Sequence, residues 1–281
     1  MIQSKPHNVI DTEKAIFIHK LLVDSSKIAN KNFGKVSSIS IKEGDNNQVL
    51  TETDLEIGKL IVGRIQEQYP THNIIDEEAG AINRNSEYTW VVDPIDGTSN
   101  FAIGAPGYGI IVGLLYKDKP IVGGIALPFY NEIAIAEKGK GAFINGKKLS
   151  VTKETNLLSV LVTHEIDGHQ DNPDLTREEC KTLADIVLGI RNLRLTGSVF
   201  DAILVAKGKF GAFLGRPSKI WDNVGTQVII EEAGGVYTDF FGVPMDYTNP
   251  ISKIELNFNR CMAAPQLHKQ LQDIIHKSVG K

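Results

Sequence analysis

Two aspartates, Asp93 and Asp96, are the first candidates for chemistry in this chain. They lie in a stretch, residues 90–101, whose apolar start, proline turn and small polar residues predict a strand, a turn and a helix start. Carboxylates at a strand end can hold hard cations. The backbone N–H groups of Gly97, Thr98 and Ser99 at a helix start can bind an anion. The combination predicts metal-assisted phosphate chemistry.

The same residues are also good turn formers, so this stretch alone is equally consistent with a structural loop. Acidic residues elsewhere in the chain favour the metal-binding interpretation over the structural loop. Asp54 precedes a helical pattern, where it could simply cap that helix. Glu77 and Glu78 follow a short apolar strand and are either a solvated corner or neighbours of Asp93, while Asp222 opens a later helix.

Apolar periodicity and turn residues predict the elements that must position these acids. A long amphipathic helix is predicted over 9–32, and the polar segment 36–48, which contains Lys42 and Glu43, is predicted to be a mobile loop or loose hairpin. Further helices are predicted over 55–65, 175–188, 197–206, 221–232 and 266–277. Strands are predicted over 73–75, 90–93, 108–115, 121–127, 132–137, 142–144, 159–163, 192–196, 210–214, 236–238 and 260–263.

The order of these elements predicts an α/β (α+β) fold with a change of rhythm near the middle of the chain. The strands between residues 108 and 144 form an antiparallel meander, whereas strands and helices alternate in the second half. We therefore predict an N-terminal α+β domain over residues 1–150 that carries most metal ligands. A C-terminal α/β domain over 151–281 would supply Asp222 and substrate contacts.

Composition excludes several classes of function. The net charge of −4 and the absence of a basic stripe disfavour a nucleic-acid partner. No apolar run is long enough to span a membrane, and the N-terminus has no signal-peptide core, so no membrane partner is predicted. Cys180 and Cys261 form neither a zinc spacing nor a disulfide framework, which is typical of the reducing cytoplasm. We predict a cytoplasmic protein.

The acidic motifs recur in a definite order with two glycine-containing motifs, at residues 51–54, 77–78, 93–98, 197–198, 221–222 and 232–235. This series resembles the inositol monophosphatase family, among the Mg-dependent, lithium-sensitive phosphatases that include fructose bisphosphatases and nucleotide bisphosphatases. The similarity runs from the first helix to about residue 263. It implies a layered α/β/α/β/α sandwich, usually a homodimer, that hydrolyses a small-molecule phosphate ester.

The resemblance also implies a set of ligands for Mg²⁺. Glu77, Asp93 and the backbone carbonyl of Ile95 would bind one ion, and Asp93, Asp96 and Asp222 a second. A third, weaker ion is implied near Glu77 and the predicted mobile loop, giving two to three ions per site. Two metals about 3.5–4 Å apart can stabilise both the attacking and the leaving oxygen of a phosphoryl group.

The mechanism that follows is direct in-line attack by a metal-activated water, without a covalent intermediate. Glu77 would take part as a ligand, and the Thr98 hydroxyl, hydrogen-bonded to Asp54, would orient the water and accept its proton. Asp96 and Asp222 would hold the ion that stabilises the departing alkoxide.

Substrate contacts are expected from residues that lie on both halves of the chain: Asp96, Gly97, Thr98, Ser99, Gly197, Ser198, Arg216 and Asp222. Relatives that handle inositol phosphate carry an acid ahead of the Trp-Asp pair, which binds ring hydroxyls. In this chain that segment, 215–220, contains Arg216 and Lys219 instead. These cations favour an acidic or second phosphate group, and they are equally consistent with surface charges.

The predicted function is a Mg-dependent phosphomonoesterase acting on a small sugar, polyol or inositol phosphate. Alternatives in the same superfamily are fructose-1,6-bisphosphatase, 3′(2′),5′-bisphosphate nucleotidase and histidinol-phosphatase activities. A non-catalytic protein that binds metal or phosphosugar would be expected to lack a ligand or the Asp54–Thr98 pair, and all of these are present. A phosphatase with an aspartyl nucleophile is disfavoured, because Pro94 stands where that aspartate would lie.

Overall fold

The fold is that of a computed structural model, which describes residues 11–35, 40–41 and 49–280. Helices within these ranges are α1 (Glu13–Asn32), α2 (Glu52–Gln68), α3 (Thr98–Ala102), α4 (Pro173–Gly189), α5 (Val199–Ala206), α6 (Ile220–Glu232) and α7 (Pro265–Ser278). The first strands are β1 (Ser40–Ile41), β2 (Val49–Leu50), β3 (Asn73–Asp76), β4 (Gly80–Ile82), β5 (Tyr88–Asp96), β6 (Gly109–Tyr116), β7 (Lys119–Leu127), β8 (Glu132–Glu137), β9 (Gly141–Ile144) and β10 (Lys147–Lys148). The remaining strands are β11 (Leu161–Ile166), β12 (Asn192–Arg194), β13 (Ala212–Ser218), β14 (Val236–Thr238) and β15 (Phe258–Ala263).

Two large sheets alternate with three layers of helices. The eight-stranded sheet has the order β10-β9-β8-β7-β6-β5-β3-β4, and the five-stranded sheet has the order β12-β11-β13-β15-β14. Helices α1 and α2 pack on the outer face of the eight-stranded sheet, α5 and α6 lie between the sheets, and α4 packs with α7 beyond the five-stranded sheet. This arrangement confirms the predicted α/β class and the α/β/α/β/α layering.

Most predicted elements are present, with shifted ends. The first helix begins at Glu13 because Thr12 caps it by accepting the Ala15 N–H at 3.3 Å, so its predicted start was too early. Lys42 and Glu43 of the predicted mobile loop lie outside the described residues. The two sheets take their strands from residues 73–148 and 161–263, and the division into two domains stays a prediction.

Strand β5 differs from the prediction in a way that matters for the site. It does not stop at Asp93 but continues to Asp96, with a change of register between Asp93, which pairs with Ile111, and Asp96, which pairs with Gly109. Residues three apart in a regular strand face opposite sides of the sheet. The extra residue of this bulge lets both aspartates turn to the same side.

Helix α6 approaches the eight-stranded sheet unusually closely. A Cβ atom on Gly123 of β7 would lie 2.2 Å from the backbone oxygen of Gly225 in α6. A Cβ on Gly113 of β6 would lie 2.7 Å from the Gly225 nitrogen. Only glycine permits this backbone contact, which fixes α6, with Asp222 in its first turn, against the sheet that carries Asp93.

None of the described helices combines the length and the apolar content needed to cross a membrane. Both cysteines are free thiols; Cys180 is exposed and Cys261 is buried.

Candidate active site and metal centre

Three acids from distant parts of the chain meet at one point. Carboxylate oxygens of Asp93, Asp96 and Asp222 lie within 4.8 Å of one another. The bulge of β5 presents the first two, and the first turn of α6 presents the third. The side chains of Asp93 and Asp96 are buried. The structure thus brings together the three aspartates that the sequence proposed as ligands of a shared cation site.

Helix starts hold one carboxylate oxygen of several acids and leave the other available. Asp96 Oδ1 accepts the backbone N–H of Val199 at the start of α5. Asp222 Oδ2 accepts the N–H of Lys219 at 2.6 Å, and Asp54 Oδ2 accepts the N–H of the N-cap residue of α2 at 3.0 Å. The capping role and the proposed chemical role of these acids are therefore compatible, because each carboxylate has two oxygens.

Asp93 has no such cap. Its Oδ1 atom is buried and has no hydrogen-bond partner among the described residues. Burial, together with the charges of Glu77, Asp96 and Asp222, raises the pKa of Asp93 well above its usual value. A buried, crowded set of carboxylate oxygens with an unsatisfied acceptor is the donor set that a hard divalent cation prefers. The residues present therefore fit a metal ion.

The pKa values of the other two aspartates are shifted in the same direction. Burial is the main cause, and it raises the pKa of Asp96 well above its usual value and raises that of Asp222. The positive charge of Arg260 opposes both shifts, whereas Glu165 reinforces them. One guanidinium therefore offsets part of the negative charge of the cluster.

Glu77 is held next to the cluster by a tight turn after β3. Its N–H donates to the backbone oxygen of Val92 at 3.2 Å. Asp76 Oδ1 accepts the N–H groups of Glu78 at 3.0 Å and Ala79 at 2.7 Å, which closes the turn. Glu77 lines the cavity described below, and its charge contributes to the raised pKa of Asp93.

The predicted pair of Thr98 and Asp54 lies beside the cluster. The Thr98 hydroxyl donates to the backbone oxygen of Ile95 at 2.8 Å and lies 3.3 Å from Asp54 Oδ1. Asp54 is fully buried, and burial raises its pKa to about 6, against the opposing hydrogen bonds from Thr51. A carboxyl group of that pKa is suited to exchange a proton near neutral pH.

The acids open into a cavity of about 970 Å³, large enough for a small phosphate ester. Gly97, Thr98, Ser99 and Gly197 line it, as the sequence proposed for substrate contacts. Ser198 does not line it, because this residue is buried and its hydroxyl accepts the N–H of Phe200 at 3.2 Å as the N-cap of α5.

The two cations near the Trp-Asp pair have different surroundings. Arg216 is not among the residues that line the cavity; its Nε lies 3.3 Å from Glu179 Oε1, and its guanidinium carbon lies 5.0 Å and 5.4 Å from the ring centres of Phe240 and Phe241. Lys219 does line the cavity, and its Nζ donates to the backbone oxygen of Glu255 at 3.0 Å.

Sequence reasoning missed an ion pair on the five-stranded sheet. Glu165 on β11 lines the cavity, and its Oε2 lies 2.6 Å from a terminal nitrogen of Arg260 on β15. The guanidinium carbon of Arg260 lies 4.8 Å from the ring centre of Phe213. Gly215 stands between the two charged residues in the sheet register. An arginine inside the apolar strand 258–263 was the signal that could have revealed the pair.

Comparison with protein families places the chain among known sequences. The family model described as the inositol monophosphatase family matches residues 11–279. Inositol monophosphatase 1 of Solanum lycopersicum is 34% identical over 241 residues, which cover 81% of this chain and 86% of the relative. A protein of Aquifex aeolicus named fructose-1,6-bisphosphatase/inositol-1-monophosphatase is 32% identical over 217 residues, covering 75% of this chain and 80% of that protein.

Solved structures agree with the sequence relatives. The Thermotoga maritima IMPase superposes with a TM-score of 0.83 at 26% identity, covering 96% of this chain and 99% of that one. The layered architecture described above is therefore shared over almost the whole length of both chains.

Proposed function

The chain belongs to the inositol monophosphatase family, and from this membership we propose that it is a magnesium-dependent phosphomonoesterase acting on a small sugar, polyol or inositol phosphate. The observation that carries the proposal is the convergence of Asp93, Asp96 and Asp222 within 4.8 Å of one another, beside the Thr98–Asp54 pair. The relatives named as phosphatases of inositol and fructose phosphates support the same class of substrate.

Glu77, Asp93 and the carbonyl of Ile95 would hold one Mg²⁺, and Asp93, Asp96 and Asp222 a second, with a third, weaker ion near Glu77. Magnesium supplies positive charge to the phosphoryl oxygens and acidifies water. The ions would also stabilise the charged form of the carboxylates, because they would offset the burial and the mutual repulsion that raise the pKa of Asp93. The phosphate group of the substrate would therefore bind at the end of the cavity that contains the acid cluster.

Thr98 and Asp54 would handle the proton. If the Thr98 hydroxyl proton turns from the Ile95 oxygen to Asp54 Oδ1, 3.3 Å away, the hydroxyl oxygen can accept a hydrogen bond from a water at the cluster. Asp54, with a pKa of about 6, can take up that proton without leaving its capping position, because its Oδ2 stays bound to the N-cap of α2. The pair thereby orients the water and stores its proton.

The test is phosphate release from a panel of substrates: inositol 1-phosphate, fructose 1,6-bisphosphate, 3′-phosphoadenosine 5′-phosphate and histidinol phosphate, each with and without Mg²⁺ and Li⁺. We expect release from the inositol or a related polyol monophosphate, dependent on Mg²⁺ and reduced by Li⁺. Binding of Mg²⁺ without release from any ester of the panel would support the alternative of a non-catalytic binding protein and overturn the proposal.

We further propose that the protein acts as a cytoplasmic homodimer, as the family resemblance implies. Light scattering of the purified chain coupled to size exclusion would measure its mass against the 30.8 kDa of one chain. A mass near one chain at micromolar concentration would contradict the dimer.

A further inference from the structure

The charges that line the cavity are strongly unequal. Seven carboxyl side chains line it among the described residues, against one lysine: Glu77, Asp93, Asp96, Glu165, Asp167, Asp171, Asp222 and Lys219. Under the proposed function, Mg²⁺ neutralises the acids of the cluster and the phosphate group binds there. Glu165, Asp167 and Asp171 line the cavity outside the proposed metal ligands, and acidic residues there disfavour a second phosphate group.

Glu165 is held in place by a buried arginine. Its Oε2 is fixed at 2.6 Å by Arg260, whose side chain is 2% exposed and stacks on Phe213. The side chain of Glu165 is 21% exposed. One oxygen is therefore anchored by a buried charge, while the carboxylate remains accessible from the cavity that it lines.

The backbone makes room for this arrangement at a single position. Glu165, Gly215 and Arg260 are direct neighbours across β11, β13 and β15, and they face the same side of the sheet. A Cβ atom at position 215 would lie 2.9 Å from Glu165 Oε2 and 2.9 Å from Arg260 Nε. The ion pair bridges the middle strand only because residue 215 has no side chain.

Glu165 also lies close to the reacting end of the cavity. The Arg260 guanidinium links it to the acid cluster: one terminal nitrogen donates to Glu165 Oε2 at 2.6 Å, and the other donates to the backbone oxygen of Asp222 at 3.5 Å. A substrate whose phosphate occupies the acid cluster would thus place the atoms next to its ester bond within reach of Glu165. An anchored carboxylate accepts hydrogen bonds from hydroxyl groups and repels phosphate.

We propose that Glu165, positioned by Arg260, contacts the hydroxyl groups of the leaving group and selects a polyol monophosphate over a bisphosphate. This inference rests on the proposed phosphatase function. It replaces the expectation that Arg216 favours a second phosphate, since Arg216 is paired with Glu179 and does not line the cavity. Glu165 acts as a specificity-determining residue and takes no part in the proton transfer at Thr98.

The experiment compares kcat/KM of the full chain and its Glu165→Gln variant, with Mg²⁺, for inositol 1-phosphate and fructose 1,6-bisphosphate. The variant keeps the shape and removes the charge. We expect its preference for the monophosphate to fall by about tenfold, the size of one hydrogen bond to a charged group. The change should appear mainly in KM for inositol 1-phosphate, with kcat changed by less than about twofold.

Glu132→Gln is the matched control, because it breaks another partly buried ion pair, with Lys207 at 2.5 Å, and neither of these residues lines the cavity. Its preference should stay that of the natural chain. Equal shifts in both variants, or no shift in Glu165→Gln, would overturn the inference. Glu165→Asp keeps the charge but moves it away from the hydroxyl groups of the substrate. This variant should therefore have a higher KM for inositol 1-phosphate and should still disfavour the bisphosphate.

Mg²⁺ titration by calorimetry and circular dichroism show whether each variant is folded and binds metal, independently of turnover. If Glu165→Gln does not fold, the Glu165→Asp comparison decides: an unchanged KM for inositol 1-phosphate overturns the inference. A natural chain that releases phosphate from neither substrate defeats the proposed function itself. An active natural chain with an unchanged preference in the variants defeats only the role of Glu165.

Discussion

The two walls of the cavity treat charge in opposite ways. On the wall formed by β5 and the start of α6, Asp93, Asp96 and Asp222 lie close together, and burial and the charges of neighbouring acids raise their pKa values. On the wall formed by the five-stranded sheet, the cavity acid Glu165 is paired with Arg260 at 2.6 Å. Under the proposed function, added cations neutralise the acid wall, whereas the paired wall has its own cation, Arg260, and can serve recognition.

A second contrast exists within the acid wall. Asp96 and Asp222 each have one oxygen satisfied by the N–H of a helix start, so the helices α5 and α6 set their orientation. Asp93 receives no such bond at Oδ1 among the described residues, although it lies in the same cluster. We therefore expect Asp93 to depend most on the metal, and the metal to depend most on Asp93.

The largest effect is expected for Asp93→Asn. Loss of the carboxylate shared by both proposed ions should lower Mg-dependent turnover by about a thousandfold or more, since metal ions supply most of the charge stabilisation in such sites. Phosphate release and Mg²⁺ calorimetry measure the two losses. The fold should survive, because the substitution removes a buried charge from a repulsive cluster.

Asp246→Asn is a suitable control for this variant, because Asp246 is an exposed acid whose partner is Lys253, at 2.6 Å. Near-normal Mg-dependent activity of Asp93→Asn would remove the acid wall from the mechanism. The comparison between the two walls would then lose its functional meaning.

The next effect concerns the proton pathway. Thr98→Val removes the hydroxyl that lies 3.3 Å from Asp54 Oδ1 and 2.8 Å from the Ile95 oxygen. We expect kcat to fall by about a hundredfold, within the range of general acid–base catalysis, while Mg²⁺ affinity stays within about threefold. Thr98→Ser, which keeps the hydroxyl, should retain most of the activity. A large loss of Mg²⁺ affinity in Thr98→Val would show that the residue holds the metal site instead.

The residues of the two walls also differ in how well they could be predicted from the sequence. Asp93, Asp96 and Asp222 could be proposed because strand ends, turn residues and helix starts are local signals. Their alignment on one side needed the bulge in β5, which no pattern predicted. The bulge depends on pairing with β6 and is therefore a property of two strands.

The ion pair of the second wall could not be predicted from the sequence, for a physical reason. Glu165 and Arg260 are 95 positions apart, and they meet only in the register of three strands that are not consecutive in the sequence. The same register explains why Arg216 departs from the expected cavity contact: it follows Gly215, and successive residues of a strand face opposite sides. The sequence showed the cation but not the side to which it points.

A smaller effect is expected on the stability of the metal-free protein. Burial and neighbouring acids raise the pKa of Asp93, so the folded state retains a proton that the unfolded state has released. Stability from this group is therefore present at low pH and lost as pH rises through the folded pKa. Buried neutral histidines act in the opposite sense below their usual pKa; burial lowers that of His164 to about 4.

Comparison with Asp93→Asn isolates the acid, because the variant keeps the histidines. We expect the variant to exceed the natural chain in Tm by several degrees at pH 8 in EDTA, and by less at pH 5, because the raised pKa of Asp93 lets the natural chain retain more of its proton at the lower pH. Saturating Mg²⁺ should reverse the order at pH 8, since the natural chain binds the ion. A difference in Tm that is the same at both pH values in EDTA would contradict a raised pKa at Asp93.

The smallest effect is expected at Lys219, the one lysine that lines the cavity within the described part of the chain. Its Nζ is occupied by the backbone oxygen of Glu255 at 3.0 Å, so it can attract a phosphate ester only through its charge. Lys219→Gln should raise KM by about twofold at low salt, and the difference should vanish at high salt because mobile ions screen an exposed charge. Lys253→Gln, which breaks the ion pair with Asp246, should leave KM unchanged. A rise of about tenfold that persists in high salt would mean that Lys219 contacts the phosphate directly. Lys219 would then be a fixed positive charge beside Asp222 on the acid wall. Both walls of the cavity would then contain a cation from the protein, and the contrast between them would no longer hold.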